Sequence, residues 1–164
     1  MLHNGKTKGV ERNEFILQAG QIERHLYWIK KGAIRIFYQT EFEEHTIRFG
    51  YQGSLINALP SYVKEEPSEL YLQAIRKSTL AIKKSDFRAF IGEDVNRLQQ
   101  YNAFMEMMFV QALEREIDLL TYSPLERYQR VLERSPHLFQ EVPAKYIASY
   151  LRMTPETLSR IQKS

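Results

Sequence analysis

The sequence predicts an α+β chain: a small all-β domain, one long helix, and a C-terminal helical module that ends in a helix-turn-helix. Three observations carry that reading. Short apolar strands separated by glycine and acidic turns fill residues 14–83. A stretch without proline or glycine runs over residues 94–121. Residues 142–161 have the spacing of two short helices around a tight turn.

The strands come first. Phe15, Ile16 and Leu17 make a brief apolar strand closed by Gly20. Residues 25–38 are rich in aromatic and β-branched side chains and are broken only by Gly32, which predicts two strands at a hairpin or a bend. The charged turn at residues 41–44 precedes a strand over 45–49, and Gly50 and Gly53 bracket the next turn. Residues 70–75 and 79–82 are two further strands. Turn signals at such short intervals indicate a compact barrel or sandwich.

At Ser85 the pattern changes. Ser85 is placed to cap a short helix over residues 86–91 that stops at Gly92. The long helix follows. Val95, Leu98, Tyr101, Met105, Met108, Ala112 and Leu119 mark one apolar stripe, of which Leu98, Tyr101, Met105, Met108 and Ala112 are the expected dimer contact, and Phe104, Phe109, Leu113, Ile117 and Leu120 widen it. A helix apolar over most of its girth has to be covered on two sides, so one side is expected on the β domain and the other on a second copy of the helix, the alternative being a monomer whose helix is buried between the β domain and the C-terminal module. Ser123 and Pro124 then restart the chain as a cap and a first-turn proline, opening a helix that Ser135 and Pro136 end.

In the final stretch Pro143 suits a first helical turn, while Ile147 and Leu151 share a face at i and i+4. Arg152 and Met153 make the turn. Thr154 is the expected N-cap and Pro155 the first helical residue, with Leu158 and Ile161 pointing back at the preceding helix. Glu156, Thr157, Ser159, Arg160 and Lys163 are left on the outer side, a face able to reach base edges and phosphates in a major groove. Charge agrees with this. Residues 1–122 carry 16 basic and 16 acidic groups, whereas residues 123–164 carry 7 and 4, so the whole net charge of +3 sits on the helical module.

Other chemistry finds little support. With no cysteine in the chain, disulfides, iron–sulfur clusters and thiolate zinc sites are excluded, which is compatible with a cytoplasmic location. His3, His25, His45 and His137 have no short metal-ligand spacing, so no metal or cofactor is expected. Gly5, Lys6 and Thr7 look like the tail of a phosphate-binding loop but lack its upstream glycine. The pairs Glu43–Glu44 and Glu65–Glu66 diverge, and no serine sits in a nucleophile elbow. No catalytic residue is assigned. Neither a membrane span nor a signal peptide is expected.

The order small barrel, long helix, helix-turn-helix resembles the Crp/Fnr family of bacterial transcription regulators, over about residues 14–163. Gly20, Gly32 and Gly53 fall where that family's cyclic-nucleotide-binding β-roll places turn glycines. Glu156, Thr157 and Arg160 match the Glu-Thr-x-x-Arg core of its recognition helix. The segments around Ser123 and Val142 resemble short members from Bacteroidetes-type bacteria. The resemblance implies a jelly-roll-like β-roll over residues 1–92, a dimerisation helix over 93–122 and a DNA-binding helix-turn-helix over 123–164. It also implies a homodimer bound to double-stranded DNA through Thr154, Glu156, Thr157, Arg160 and Lys163.

Departures from the family pattern bear on the ligand. Cyclic-AMP-binding members carry Gly-Glu-Leu and, further on, Arg-Ser-Ala. Here Asn57 and Ala58 stand in place of Gly-Glu, and Ser68 in place of the phosphate-binding arginine. Serine cannot replace a bidentate guanidinium–phosphate contact, so cyclic AMP is not expected to bind. Ser54, Asn57, Ser61 and Ser68 are the expected lining for an unidentified small-molecule effector. The family's N-terminal helix and its β-hairpin wing have no counterpart here, which leaves residues 154–163 to make most of the expected DNA contact. The alternative reading is a ligand-binding or protein-interaction dimer with a vestigial helix-turn-helix.

Overall fold

The computed structural model describes residues 6–83 and 91–163. Eight strands come first, with one helix among them: β1 (Lys6–Val10), β2 (Phe15–Leu17), β3 (Leu26–Lys31), β4 (Ala33–Gln39), β5 (Glu44–Tyr51), β6 (Leu55–Ile56), α1 (Leu59–Lys64), β7 (Leu70–Ala74) and β8 (Ser78–Lys83). Then come α2 (Val95–Leu120), α3 (Pro124–Arg134), α4 (Pro136–Glu141), α5 (Ala144–Tyr150) and α6 (Pro155–Lys163). The short helix expected over residues 86–91 lies almost wholly outside the described residues.

The strands form two four-stranded antiparallel sheets, ordered β1-β8-β3-β6 and β2-β7-β4-β5. β3 and β4 lie in different sheets, so Gly32 is a bend that carries the chain between layers and not a hairpin turn. Its φ of +95° lies in the left-handed region, and an added Cβ would come within 2.7 Å of the Lys77 carbonyl oxygen. Ile29, Ile34, Ile36, Ile56, Leu72 and Leu80 fill the space between the sheets. Each such side chain contributes roughly 1.5–3 kcal/mol by leaving water. β1, the two-residue β6 and α1 are additions to the sequence reading. Lys6 and Thr7, in the loop-like Gly5-Lys6-Thr7 run, are part of β1, paired with Ile82 and Ala81.

α2 begins where its cap dictates: Asp94 accepts from the Asn96 and Arg97 N–H groups at 2.8 and 3.2 Å. Near its other end Asp118, with no exposed surface, accepts from Arg130 at 3.0 Å and pairs with Arg134. That buried cluster fastens α3 to α2. Ser123 caps α3 as expected, accepting from the Glu126 N–H at 3.3 Å. After Ser135 the chain does not remain a loop; residues 136–141 make a further helical turn, α4. Pro143 stands one residue before α5, at ψ 139°, instead of within its first turn.

The C-terminal module packs on the outer face of the β4–β5 sheet. Val131, Leu138, Ile147, Leu151 and Leu158 share one apolar cluster with Ala33 and Ile75 of the β domain. Ser149 bridges β5, accepting from the Thr46 N–H and donating to the Glu44 carbonyl. Arg35, buried on the outer face of β4, lies 3.9 Å from the Phe37 ring centre and 4.3 Å from that of Tyr146. Among the described residues no helix is long and apolar enough to cross a membrane.

Candidate nucleic-acid interface and ligand cavity

α5, its turn and α6 form the helix-turn-helix. Arg152 takes φ +53°, and the Met153 N–H returns to the Ala148 carbonyl at 3.1 Å, closing α5. The Thr154 hydroxyl accepts from the Thr157 N–H at 3.2 Å and donates to the Thr157 hydroxyl at 3.1 Å. Both threonines therefore spend polar groups on starting α6. Leu158 is fully buried against α5, which sets the rotation of α6 about its axis. Glu156, Ser159, Arg160 and Lys163 are left exposed along one shallow concavity with Pro155. Among the described residues Glu156, Arg160 and Lys163 have no ion-pair or hydrogen-bond partner, so their charged ends project as a free polar row. Acid at the start of α6 and bases at its end also match the helix dipole.

The four expected pocket residues are not brought together. Ser61 accepts from the Glu23 N–H at 2.9 Å and donates to the Glu66 carbonyl at 2.6 Å, tying α1 to the segment before β3. Ser68 is buried, and its hydroxyl hydrogen-bonds the Leu70 backbone at 2.9 Å on both counts. Ser54 accepts from the Tyr51 N–H at 3.1 Å within the β5–β6 turn and lines a separate, larger cavity beside that turn. Only Asn57 faces a cavity under α1, and its Nδ2 is buried with no hydrogen-bond partner among the described residues. That cavity, between α1, β6 and α2, holds about 70 Å³. Pockets for drug-sized ligands run to roughly 300–1,000 Å³, so this one does not fit a nucleotide.

A larger cavity of about 530 Å³ lies where β3, β5 and the β5–β6 turn meet α2 and the C-terminal helices. Arg48 lines both cavities, a residue absent from the sequence reading. Burial pushes its guanidinium below the usual arginine range. No local signal marks it, because Arg48 falls in a plain alternation of Ile47, Phe49 and Tyr51 with Thr46 and Gly50. Buried Glu23 is the other unexpected ionisable group. Desolvation raises its carboxyl above the ordinary 4.5, although the His25 N–H and the Tyr27 hydroxyl donate to it at 2.9 and 3.2 Å.

On α2, Tyr101, Met105 and Met108 face the small cavity and the β domain, while Leu98 and Ala112 are exposed. The outward apolar row runs Val95, Leu98, Phe109, Leu113, Ile117 and Leu120, with Phe109 66% exposed. It is turned about the helix axis from the stripe expected on sequence, and shares Val95 and Leu98 with it.

Residues 7–94 match the family model of the cyclic nucleotide-binding domain. Solved structures with a similar fold include FixK2 from Bradyrhizobium japonicum, at 18% identity over 96% of this chain and 82% of that one, with a TM-score of 0.79. A CooA variant from Carboxydothermus hydrogenoformans gives 14% identity, 99% and 76% coverage and a TM-score of 0.77. A CRP/FNR-family transcriptional regulator from Thermus thermophilus gives 16%, 95% and 83%, and 0.71. At these identities the likeness is one of fold. No curated protein sequence matches the chain.

Proposed function

This chain belongs to the cyclic nucleotide-binding domain family, and on that premise we propose that it is a dimeric, sequence-specific DNA-binding transcriptional regulator whose β-roll has lost the cyclic-nucleotide site. The observation that carries the reading is the face of α6. Glu156, Arg160 and Lys163 stand exposed and, among the described residues, unpaired on a helix held by a threonine cap and a buried Leu158. Arginine reads guanine bidentately in the major groove, and the outer row of a second hairpin helix is the surface that enters that groove. Arg160 and Glu156 would contact bases, and Lys163 a phosphate. Thr154 and Thr157 would act by placing the helix start, which also presents its N–H groups to the DNA backbone.

Dimerisation supplies a second α6. The outward row on α2 gives an apolar seam suited to an identical helix related by a two-fold axis. The small volume under α1 and the engaged hydroxyl of Ser68 support loss of cyclic-nucleotide binding. Arg160→Ala is expected to weaken binding to the chain's own promoter DNA by roughly 1–3 kcal/mol and to relax sequence preference, whereas Lys163→Ala lowers affinity on all duplexes alike. Equal loss on random and promoter DNA for Arg160→Ala would show that Arg160 touches only phosphate.

A further inference from the structure

Arg48 owes its position to an irregularity in β5. Ile36 of β4 pairs with Arg48, but the next residue, Phe37, pairs with Thr46, so Ile47 is an extra residue on β5. Directly opposed residues share a face of the sheet, and Ile36 belongs to the core between the sheets. The bulge therefore turns Arg48 toward α2, while Thr46 remains available to Ser149 on the other side.

In that position the guanidinium is poorly matched. Its Nη2 donates to Met108 Sδ at 2.9 Å, a weak acceptor. No carboxylate among the described residues lies within ion-pair distance of it. The other charged side chains of the 530 Å³ cavity, Glu114 and Arg134, pair with each other at 3.5 Å, and Arg134 also pairs with Asp118. The cavity thus holds one uncompensated cation among the described residues. Trp28, Phe49, Phe104, Met108 and Tyr150 supply much of the rest of its wall.

We propose that this cavity binds an organic monocarboxylate with an apolar, preferentially aromatic, body, its carboxylate accepting two hydrogen bonds from Arg48. A planar carboxylate matches the guanidinium fork, and a single negative charge matches a single free cation. A phosphate dianion would need a second cation that Arg134 does not offer. The volume falls within the range of sites for small organic molecules. Because β5, α2 and α5 all meet at the cavity, its occupant would touch the β-roll and the DNA-reading module at once. Calling that occupant an effector rests on the proposed DNA-binding function; the binding itself does not.

Trp28 is the only tryptophan and lines the cavity, so its fluorescence reports occupancy without DNA. The full chain is titrated with benzoate, phenylacetate, 4-phenylbutyrate and octanoate, with the amide of each, and with cyclic AMP. The expected result is a saturable response to at least one of these acids, with its amide about ten- to a hundredfold weaker, as for loss of a charge-assisted hydrogen bond. Arg48→Gln, folded by circular dichroism, is expected to lose the acid's advantage to the same extent. Should that variant not fold, the comparison of acid with amide on the unaltered protein decides. The proposal is overturned by silence toward all four acids into the millimolar range, by amides binding as well as acids, by undiminished binding in Arg48→Gln, or by tighter binding of cyclic AMP than of any acid. DNA selection is a separate readout, so a failed titration leaves the DNA-binding function standing, and the reverse.

Discussion

Ser149 Oγ accepts the Thr46 N–H at 3.0 Å, a contact that joins the first hairpin helix to the bulged strand of the β-roll. The same hydroxyl donates to the Glu44 carbonyl at 2.9 Å, so one side chain satisfies two backbone groups of β5. The helix-turn-helix module is thereby registered against the domain that carries the cavity.

Ser149→Ala leaves that backbone N–H without its partner. The expected cost is about 1–3 kcal/mol, read as a lower midpoint in urea. Faster amide exchange at Thr46 should accompany it, with little change at Ile34 in the core. An unchanged midpoint would mean that water substitutes for the hydroxyl.

Asp118→Asn removes the only anion facing Arg130 among the described residues and leaves two partly exposed guanidinium groups beside a neutral amide, although Glu114 still pairs with Arg134. Because both guanidinium groups still reach solvent, the expected cost is about 1–3 kcal/mol, set by the lost charge-assisted hydrogen bonds. Thermal unfolding should fall sharply and lose its dependence on Arg130, so that Arg130→Ala adds little to the Asn variant.

Phe109→Glu combined with Leu113→Glu places charge on the outward row of α2. Light scattering is expected to give half the mass of the unaltered protein, with the circular dichroism of the monomer retained. Met105→Asp is expected to act differently, because Met105 lines the small cavity against the β-roll. It should lower the stability of the fold itself.

Glu23 gives a pH dependence. Its carboxyl is raised above 4.5 by burial, so the unfolded chain ionises it more readily than the folded one. The stability linked to this group is fully present below about 4.5 and is lost as pH rises through the higher folded value. Glu23→Gln keeps an acceptor for the His25 N–H and removes the charge. It should stabilise the protein at neutral pH, and the gain should vanish as pH falls below 4.5. A gain independent of pH would trace to packing instead.

Local signals made some of this architecture readable in the sequence. Ser123 and Thr154 each cap the helix expected of them, because a short polar side chain before an apolar periodic run has few other uses. Leu158 and Ile147 meet as their spacing requires. Elements stabilised by distant partners were not readable. β1, with Lys6, Thr7, Lys8 and Gly9, has no alternation of its own and exists through pairing with β8. α1 spans only six residues and has no side-chain cap bond, so Pro60 in its first turn is the one local sign of it. On α2 apolar residues surround the helix, and periodicity alone could not say that Met108 turns inward and Phe109 outward. Polarity suggested Ser61 and Ser68 as pocket residues, yet both hydroxyls are taken by nearby backbone. The bulge that aims Arg48 depends on the register of β4 and β5, a property of two strands together.

Selection from random DNA duplexes tests the central claim most directly. A dimer presenting two copies of α6 is expected to enrich a two-fold related sequence with half-sites about 10 base pairs apart. The Arg160→Ala protein should enrich the same spacing with at least one position in each half-site relaxed. Enrichment of no sequence by the unaltered, dimeric protein would contradict the assignment of α6 as a reader of DNA.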